Sequence, residues 1–236
     1  MVDFVAHIGQ PLGVFKVPEV MTVKDGEHAG KVVVNGTNGI PLTEPNTKRT
    51  IGKYEPDFVL GFNTKFTYRD WSLAGVLDWR KGGFFYSYTA QLNYFVGNAT
   101  ETMYNERQPW LIPNSVKQVG DQYVENDVQI SVNNINNYWN PSSTNFIYER
   151  AVLKRDFVKL RELVLTYSLP NRILGSKIKG IDFSLVGRNL FLWTPKNNNF
   201  VDPESTNYGN DIISNFGEFA AGPTFRSYGG SVRVRF

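Results

Sequence analysis

Apolar and polar residues alternate with a period of two along five stretches of this chain, the pattern of β-strands that show a different face to each side. The last stretch, Thr224 to Phe236, sets Tyr228, Gly230, Val232, Val234 and Phe236 against Gly229, Ser231, Arg233 and Arg235. In Phe62 to Arg69 the polar residues Asn63, Lys65, Thr67 and Arg69 oppose Phe62, Phe66 and Tyr68, and Asp70 marks a tight turn. The return strand sets Trp71, Leu73, Leu77 and Trp79 against Ser72, Asp78 and Arg80. Between Phe157 and Leu169, Leu163, Leu165, Tyr167 and Leu169 oppose Glu162, Thr166 and Ser168. From Asp182 to Trp193, Phe183 and Leu185 face away from Ser184 and Arg188.

About six strands are readable in all, with a weaker one near Val2 to Phe15 that breaks at Gly9-Gln-Pro-Leu-Gly13. Residues 16–57, 81–155 and 194–223 read as long, irregular connections, the second crowded with asparagine from Asn126 to Asn145. Asp70 and residues 170–180 read as short ones. Long and short connections therefore alternate strictly. A membrane β-barrel has this parity, with long loops outside the cell and short turns on the periplasmic side, whereas a β-sandwich has no reason to sort its loops. The fold expected is all-β: an antiparallel transmembrane β-barrel segment whose apolar face meets lipid and whose polar face meets a wet lumen. A soluble carbohydrate-binding β-sandwich is the alternative on the terminal strand alone.

Composition strengthens the barrel reading. Aromatic residues are 14% of the 236 positions and charged residues only 20%, an excess that suits strands girdled at both membrane interfaces. No run approaches the roughly 20 apolar residues of a membrane helix. The net charge of +3 is small and dispersed, so no nucleic-acid footprint is present. With no cysteine there is neither a disulfide framework nor a thiolate metal site. The start of the chain lacks the basic and apolar regions of a signal peptide.

Residues with chemistry are sparse. The two histidines, His7 and His28, belong to different segments, so no histidine-based metal or catalytic site is expected, and neither an enzyme nor a cofactor. Asp202 and Glu204 flank Pro203, a spacing that suits loop shaping or, less well, acid/base or cation chemistry. Lys65, Arg69, Arg80, Arg188 and Arg233 are expected to face the lumen, where they are hydrated or contact substrate. Trp110, Tyr138, Trp139 and Tyr148 fall in an outer loop, where they either stack on a substrate such as a sugar ring or pack against a lid or neighbouring loops.

The run Val158 to Pro170, Gly187-Arg-Asn-Leu-Phe-Leu-Trp-Thr194, Asp202-Pro-Glu204 and the ending from Pro223 to Phe236 resembles, in order and spacing, the C-terminal strands of SusC/RagA-family TonB-dependent transporters. Gly9-Gln-Pro-Leu-Gly-Val-Phe15, Pro56-Asp-Phe58 and Asp78 to Tyr86 are similar to upstream markers of that family. The resemblance implies that residues 1–236 are the C-terminal part of a barrel of 22 strands around a plugged lumen, with signal peptide, TonB box and plug domain lying outside this chain. It implies a location in the outer membrane of a Gram-negative, Bacteroidetes-like cell and active import of oligosaccharides or peptides beneath a SusD-like lipoprotein. Energy would come from the TonB complex acting on the plug. Tyr228, Val232, Val234 and Phe236 would then be the signal read by the barrel-assembly machinery. A passive porin-like barrel is the other membrane reading.

Overall fold

A computed structural model describes residues 1–140, 146–174, 177–198, 201–207 and 212–236. Residues 141–145, 199–200 and 208–211 of the expected long loops, and residues 175–176 of the expected short connection, lie outside the described residues. The chain divides into two compact units, one built from residues 1–54, 84–153 and 206–220 and the other from residues 55–83, 154–205 and 221–236.

The second unit is one five-stranded antiparallel meander: β1 (Phe58–Tyr68), β2 (Trp71–Lys81), β3 (Phe157–Ser168), β4 (Gly180–Trp193) and β5 (Ser227–Arg235), each hydrogen-bonded to the next in chain order. It is an open sheet, and no closed barrel forms among the described residues. The alternating stretches fix these strands because a period of two commits every second side chain to one face. β1 and β2 are joined by a tight turn in which Arg69 takes a left-handed φ of 52°. Arg69 therefore does not continue the Lys65 face, as simple alternation predicts. It lies past the strand end, with its guanidinium over the Tyr68 ring at 5.3 Å.

One irregularity sets the facing. Leu160 pairs with Leu77 and Glu162 with Val76, leaving Arg161 as an extra residue in β3. The neighbour on the other side shows a register shift at the same point. A bulge of this kind inserts half a period, so Val158 and Leu160 stay on the same face as Leu163, Leu165 and Tyr167. Without it they would join Glu162 and Thr166.

The first unit contains structure where long loops were expected. Strands Asp3–Val5, Val14–Val20 and Thr43–Lys53 form a small antiparallel sheet. Its inner side packs Phe15, Val17, Tyr86 and Val152, with Phe4, Tyr54 and Phe216 against them. Gly13 has φ 71°, and the Phe4 and Tyr54 rings crowd the place a side chain would take, so both the backbone and the packing require glycine there. Val32–Val34 pairs in parallel with Ser115–Val119, which turns back into Gln122–Glu125. Among the described residues the unit also holds a short parallel pair, Phe84–Ser87 with Gly217–Glu218, and the α-helices Tyr88–Phe95 and Val132–Trp139. The first helix is capped by Ser87, whose hydroxyl accepts from the Ala90 N–H at 2.9 Å.

Thus residues 16–57 and 81–155 are not simply irregular. Thr43–Lys53 is polar on both sides and carries no alternation, yet its backbone pairs with Val14–Val20 from Val20↔Thr43 to Val14↔Lys53.

Candidate functional site

The functional geometry lies in the two faces of the five-stranded sheet. In register across it stand Phe66, Leu73, Leu165 and Leu185. The next row toward the β1–β2 turn is Tyr68, Trp71, Tyr167, Phe183 and Val232. Toward the opposite end Trp79 pairs with Val158 and Val158 with Trp193, while the Phe58 and Trp79 rings meet edge to face at 5.0 Å. The apolar face thus has an aliphatic middle between two aromatic rows. Trp71 and Trp79, one in each row, are eight residues apart on one strand. At about 3.3 Å per residue that is roughly 26 Å, close to the ~25 Å apolar band of an outer-membrane barrel.

This face is not a core. Leu165, Leu185 and Val234 are 39%, 67% and 40% exposed, so no second sheet packs on them to make a sandwich. Contiguous exposed apolar surface of this extent marks a partner or a membrane.

The opposite face is charged and internally paired. Arg188 Nε donates to Glu162 Oε2 across the strands at 2.7 Å. Thr166 and Ser184 hydroxyls meet at 2.8 Å, and Ser168 Oγ donates to Asp182 Oδ1 at 2.7 Å. Arg233 stands opposite Asp182, and Lys65 opposite Ala74. Arg80, on the same face, stands between Val59 and Phe157. Of the five cations expected on a lumen side, Lys65, Arg80, Arg188 and Arg233 share this face, whereas Arg69 sits in the turn.

The most heavily built part of the charged face is an anchor for the Asp202-Pro203-Glu204 segment. Lys159 is 2% exposed, and its Nζ donates to Asp202 Oδ2 at 2.7 Å and to Glu204 Oε2 at 2.6 Å. The bulged Arg161 reaches the same place, with Nε on Asp78 Oδ2 at 2.7 Å and two further nitrogens on the Glu204 carboxylate at 2.7 and 2.5 Å. Thr224 donates its hydroxyl to Asp202, and the Glu204 N–H bonds Asp202 Oδ1 at 3.0 Å. Burial works against the charge of Asp202, but hydrogen bonds from Lys159 and Thr224 outweigh it and hold the carboxyl below the ordinary range. Glu204 is likewise held low, with burial opposed by Arg161 and Lys159. The pair therefore shapes its loop by clamping it to β3. Among the described residues no cluster of acidic or histidine side chains has metal-site geometry.

The four aromatics expected in an outer loop lie in the first unit and are largely packed. Trp110 and Trp139 are 7% and 6% exposed. Trp110 joins a core with Ile40 and Ile130 against which Tyr138 packs, and the Trp139 ring stacks on Tyr94 at 5.4 Å. Tyr148 packs against the cluster around Phe15. The loop makes its own core, so of the two roles open to these residues, stacking on a substrate or packing against neighbouring loops, packing takes most of their surface. Tyr228, Val232 and Phe236 at the β5 end are 76%, 61% and 79% exposed, and Val234 is exposed with them.

No family model matches the chain, and no curated protein matches it in sequence. The RagAB peptide importer in its open-open state shares the fold, with a TM-score of 0.59 and 18% identity over 97% of this chain and 23% of that one. The same importer in its closed-closed state gives 0.56 and 16% over 94% of this chain and 23% of the other. At these identities the likeness is one of fold, and this chain spans less than a quarter of the length of the importer chains it matches.

Proposed function

We propose that this chain is a section of the wall and outer loops of an outer-membrane active importer for bulky nutrients, oligosaccharides or peptides. The observation that carries the reading is the two-faced sheet: an exposed apolar face bounded by two aromatic rows, and behind it a polar, charge-paired face. The fold shared with a peptide importer supports it, as does the SusC/RagA resemblance of the sequence. In this reading β1 and β5 pair with further strands of a larger barrel, because an open sheet edge is not tolerated in lipid. Lys65, Arg80, Arg188 and Arg233 line the lumen, and residues 82–156 and 194–226 belong to the outer side. A SusD-like lipoprotein is the expected lid. The TonB complex, acting on a plug, is the energy source, and the β5 end from Tyr228 to Phe236 is the assembly signal.

The test is uptake by the full-length gene product in cells. Import of a labelled oligosaccharide or oligopeptide set should vanish when the proton-motive force is collapsed or TonB is absent. Uptake that persists at full rate under both conditions would replace active import with passive diffusion through a porin-like barrel.

A further inference from the structure

We propose that the end of the five-stranded sheet nearest the β1–β2 turn carries a seat for an anionic phospholipid. An acyl chain lies in a notch of the apolar face, and Arg69 and Lys179 hold the phosphodiester. The seat presupposes that this face meets lipid, as the import reading requires, and its test separates the two.

The notch has a volume of about 460 Å³ and is lined by Trp71, Leu165, Phe183, Leu185, Gly230 and Val232 among others. Gly230 opens it. It pairs with Leu185 in the row that Phe66, Leu73 and Leu165 fill on the other strands, so the apolar surface drops where β5 has no side chain. A Cβ there would meet only the Ser184 carbonyl oxygen at 3.7 Å and Leu185 Cδ2 at 3.9 Å, both ordinary contacts. Trp71 and Phe183 are 49% and 44% exposed, and Leu185 and Val232 more so, which leaves the walls uncovered. The Trp71 ring tilts against Tyr167 at 4.7 Å, bounding the notch on the turn side. From this aromatic row to the aliphatic one is two residues, roughly 7 Å along the strands. No charged side chain lines the notch among the described residues, so its occupant is an apolar chain.

Charge decides the headgroup. The two short connections at this end, Arg69-Asp70 and residues 169–179, carry Arg69, Arg172, Lys177 and Lys179 against a single acid, Asp70. None of these four cations makes an ion pair among the described residues, whereas Lys159, Arg161 and Arg188 of the same sheet are each answered by a carboxylate. Two of the four belong to the notch. The Arg69 guanidinium, over the exposed Tyr68 ring, stands at the edge of the apolar face beside the row that holds Trp71. Lys179 precedes β4, and its N–H still donates to the Arg235 carbonyl at 2.7 Å. Alternation therefore puts it on the face of Ile181 and Phe183, which pair with Val234 and Val232. Its exposed side chain reaches back along the strand to the level of a headgroup. Guanidinium and ammonium both donate to phosphate oxygens, and each such cation near a membrane surface favours an anionic lipid by about fivefold. A zwitterionic headgroup brings its own cation and gains less. Short connections of such a barrel face the periplasm, so the lipid belongs to the inner leaflet.

The experiment uses the full-length protein in phosphatidylcholine vesicles, with a fluorophore on Val232→Cys as its single cysteine. Dibrominated phosphatidylglycerol, or dibrominated phosphatidylcholine with the same chains, is titrated in, and quenching gives the relative affinity of the two lipids at the notch. Phosphatidylglycerol should be preferred about tenfold. Arg69→Gln together with Lys179→Gln should bring that preference down to about twofold or less. Unchanged quenching by the brominated phosphatidylcholine shows that the double variant still sits folded in the bilayer. Gly230→Leu, which fills the notch and leaves every charge in place, should also lower the preference by about threefold or more, a response that a diffuse surface charge would not give. Equal quenching by the two lipids, or a preference that survives undiminished in the charge variant or in Gly230→Leu, would overturn the seat and leave the import reading standing. Quenching by neither lipid would overturn both, because Val232 would not then face lipid.

Discussion

Replacing Lys159 by methionine should release the Asp202–Glu204 segment from the sheet. The ammonium is 2% exposed and is shared by two carboxylates, at 2.7 and 2.6 Å. Methionine keeps the length of the side chain and removes only the charge and its donors. Glu204 then still has the bidentate Arg161 contacts, but Asp202, whose side chain is 4% exposed, keeps only the Thr224 hydroxyl and the Glu204 N–H. Removing one member of a buried ion pair typically costs about 3–5 kcal/mol. The observed loss is capped at the free energy of lifting the segment into water, since that exit rehydrates Asp202. Hydrogen exchange of the Glu204 and Ser205 amides should therefore accelerate by roughly a hundredfold or more. Asp202→Asn should cost only about 1 kcal/mol, because Lys159 retains Glu204 and an amide oxygen. The double variant should be less destabilised than Lys159→Met alone. If Lys159→Met leaves exchange in this segment unchanged, or if Asp202→Asn proves the more damaging of the two, the anchor described here is not what holds the loop.

Leu165→Arg should cost about 2–4 kcal/mol of barrel stability, the penalty for a cation on the lipid face near mid-membrane, whereas Thr166→Arg on the hydrated face should fold normally. Heat-modifiable mobility on gels reads both, and the reverse order would mean the facing is inverted. Acid should also free the Asp202–Glu204 segment. Both carboxyls have folded values below their unfolded 3.8 and 4.5, so their stabilisation is complete above those values and disappears as pH falls through the lower folded ones. An environment-sensitive dye on Ser205→Cys should report a docked segment from pH 7 to pH 5 and release only in stronger acid. Release already at pH 5 would mean the carboxyls are not held low. Deleting Phe236 should lower the outer-membrane level of the full-length protein if the β5 end is its assembly signal. An unchanged level on membrane fractionation would remove that role.

How much of this was legible follows from where the hydrophobic pattern carries information. The five sheet strands were, because each commits apolar side chains to one face. The bulge at Arg161 left a trace, the spacing Val158, Leu160, Leu163, in which the period slips once, but only paired neighbours show which residue is extra. Thr43–Lys53 was not legible, because a strand polar on both sides is held by its backbone ladder to Val14–Val20 rather than by burial. Tyr88–Phe95 has no regular apolar stripe, although Ser87 just before it is an available capping signal; Val132–Trp139 does carry one, at Val132, Ile135 and Trp139, set among asparagines that read as loop. Lys159 carries no mark in the sequence that sets it apart, and nothing local says that Asp202 and Glu204, some forty residues later, will bury it. For Trp110 and Trp139 residue type leaves stacking on a ligand and packing against neighbouring loops equally open, and in the structure packing uses most of their surface.

The measurement that reaches the central claim most directly is site-by-site labelling of the sheet in membranes, made simple by the absence of cysteine in these 236 residues. Single cysteines at Leu165, Leu185 and Val232 on one face, and at Thr166, Ser184 and Arg233 on the other, would be introduced into the full-length protein in outer membranes. They would be treated with a water-soluble charged maleimide and, separately, with a lipid-partitioning one. The account predicts that the first three take only the lipid-partitioning reagent and the second three the water-soluble one, in strict alternation along β3, β4 and β5. Equal labelling of Leu165→Cys and Thr166→Cys by the charged reagent would contradict it, because the apolar face would then meet water rather than lipid.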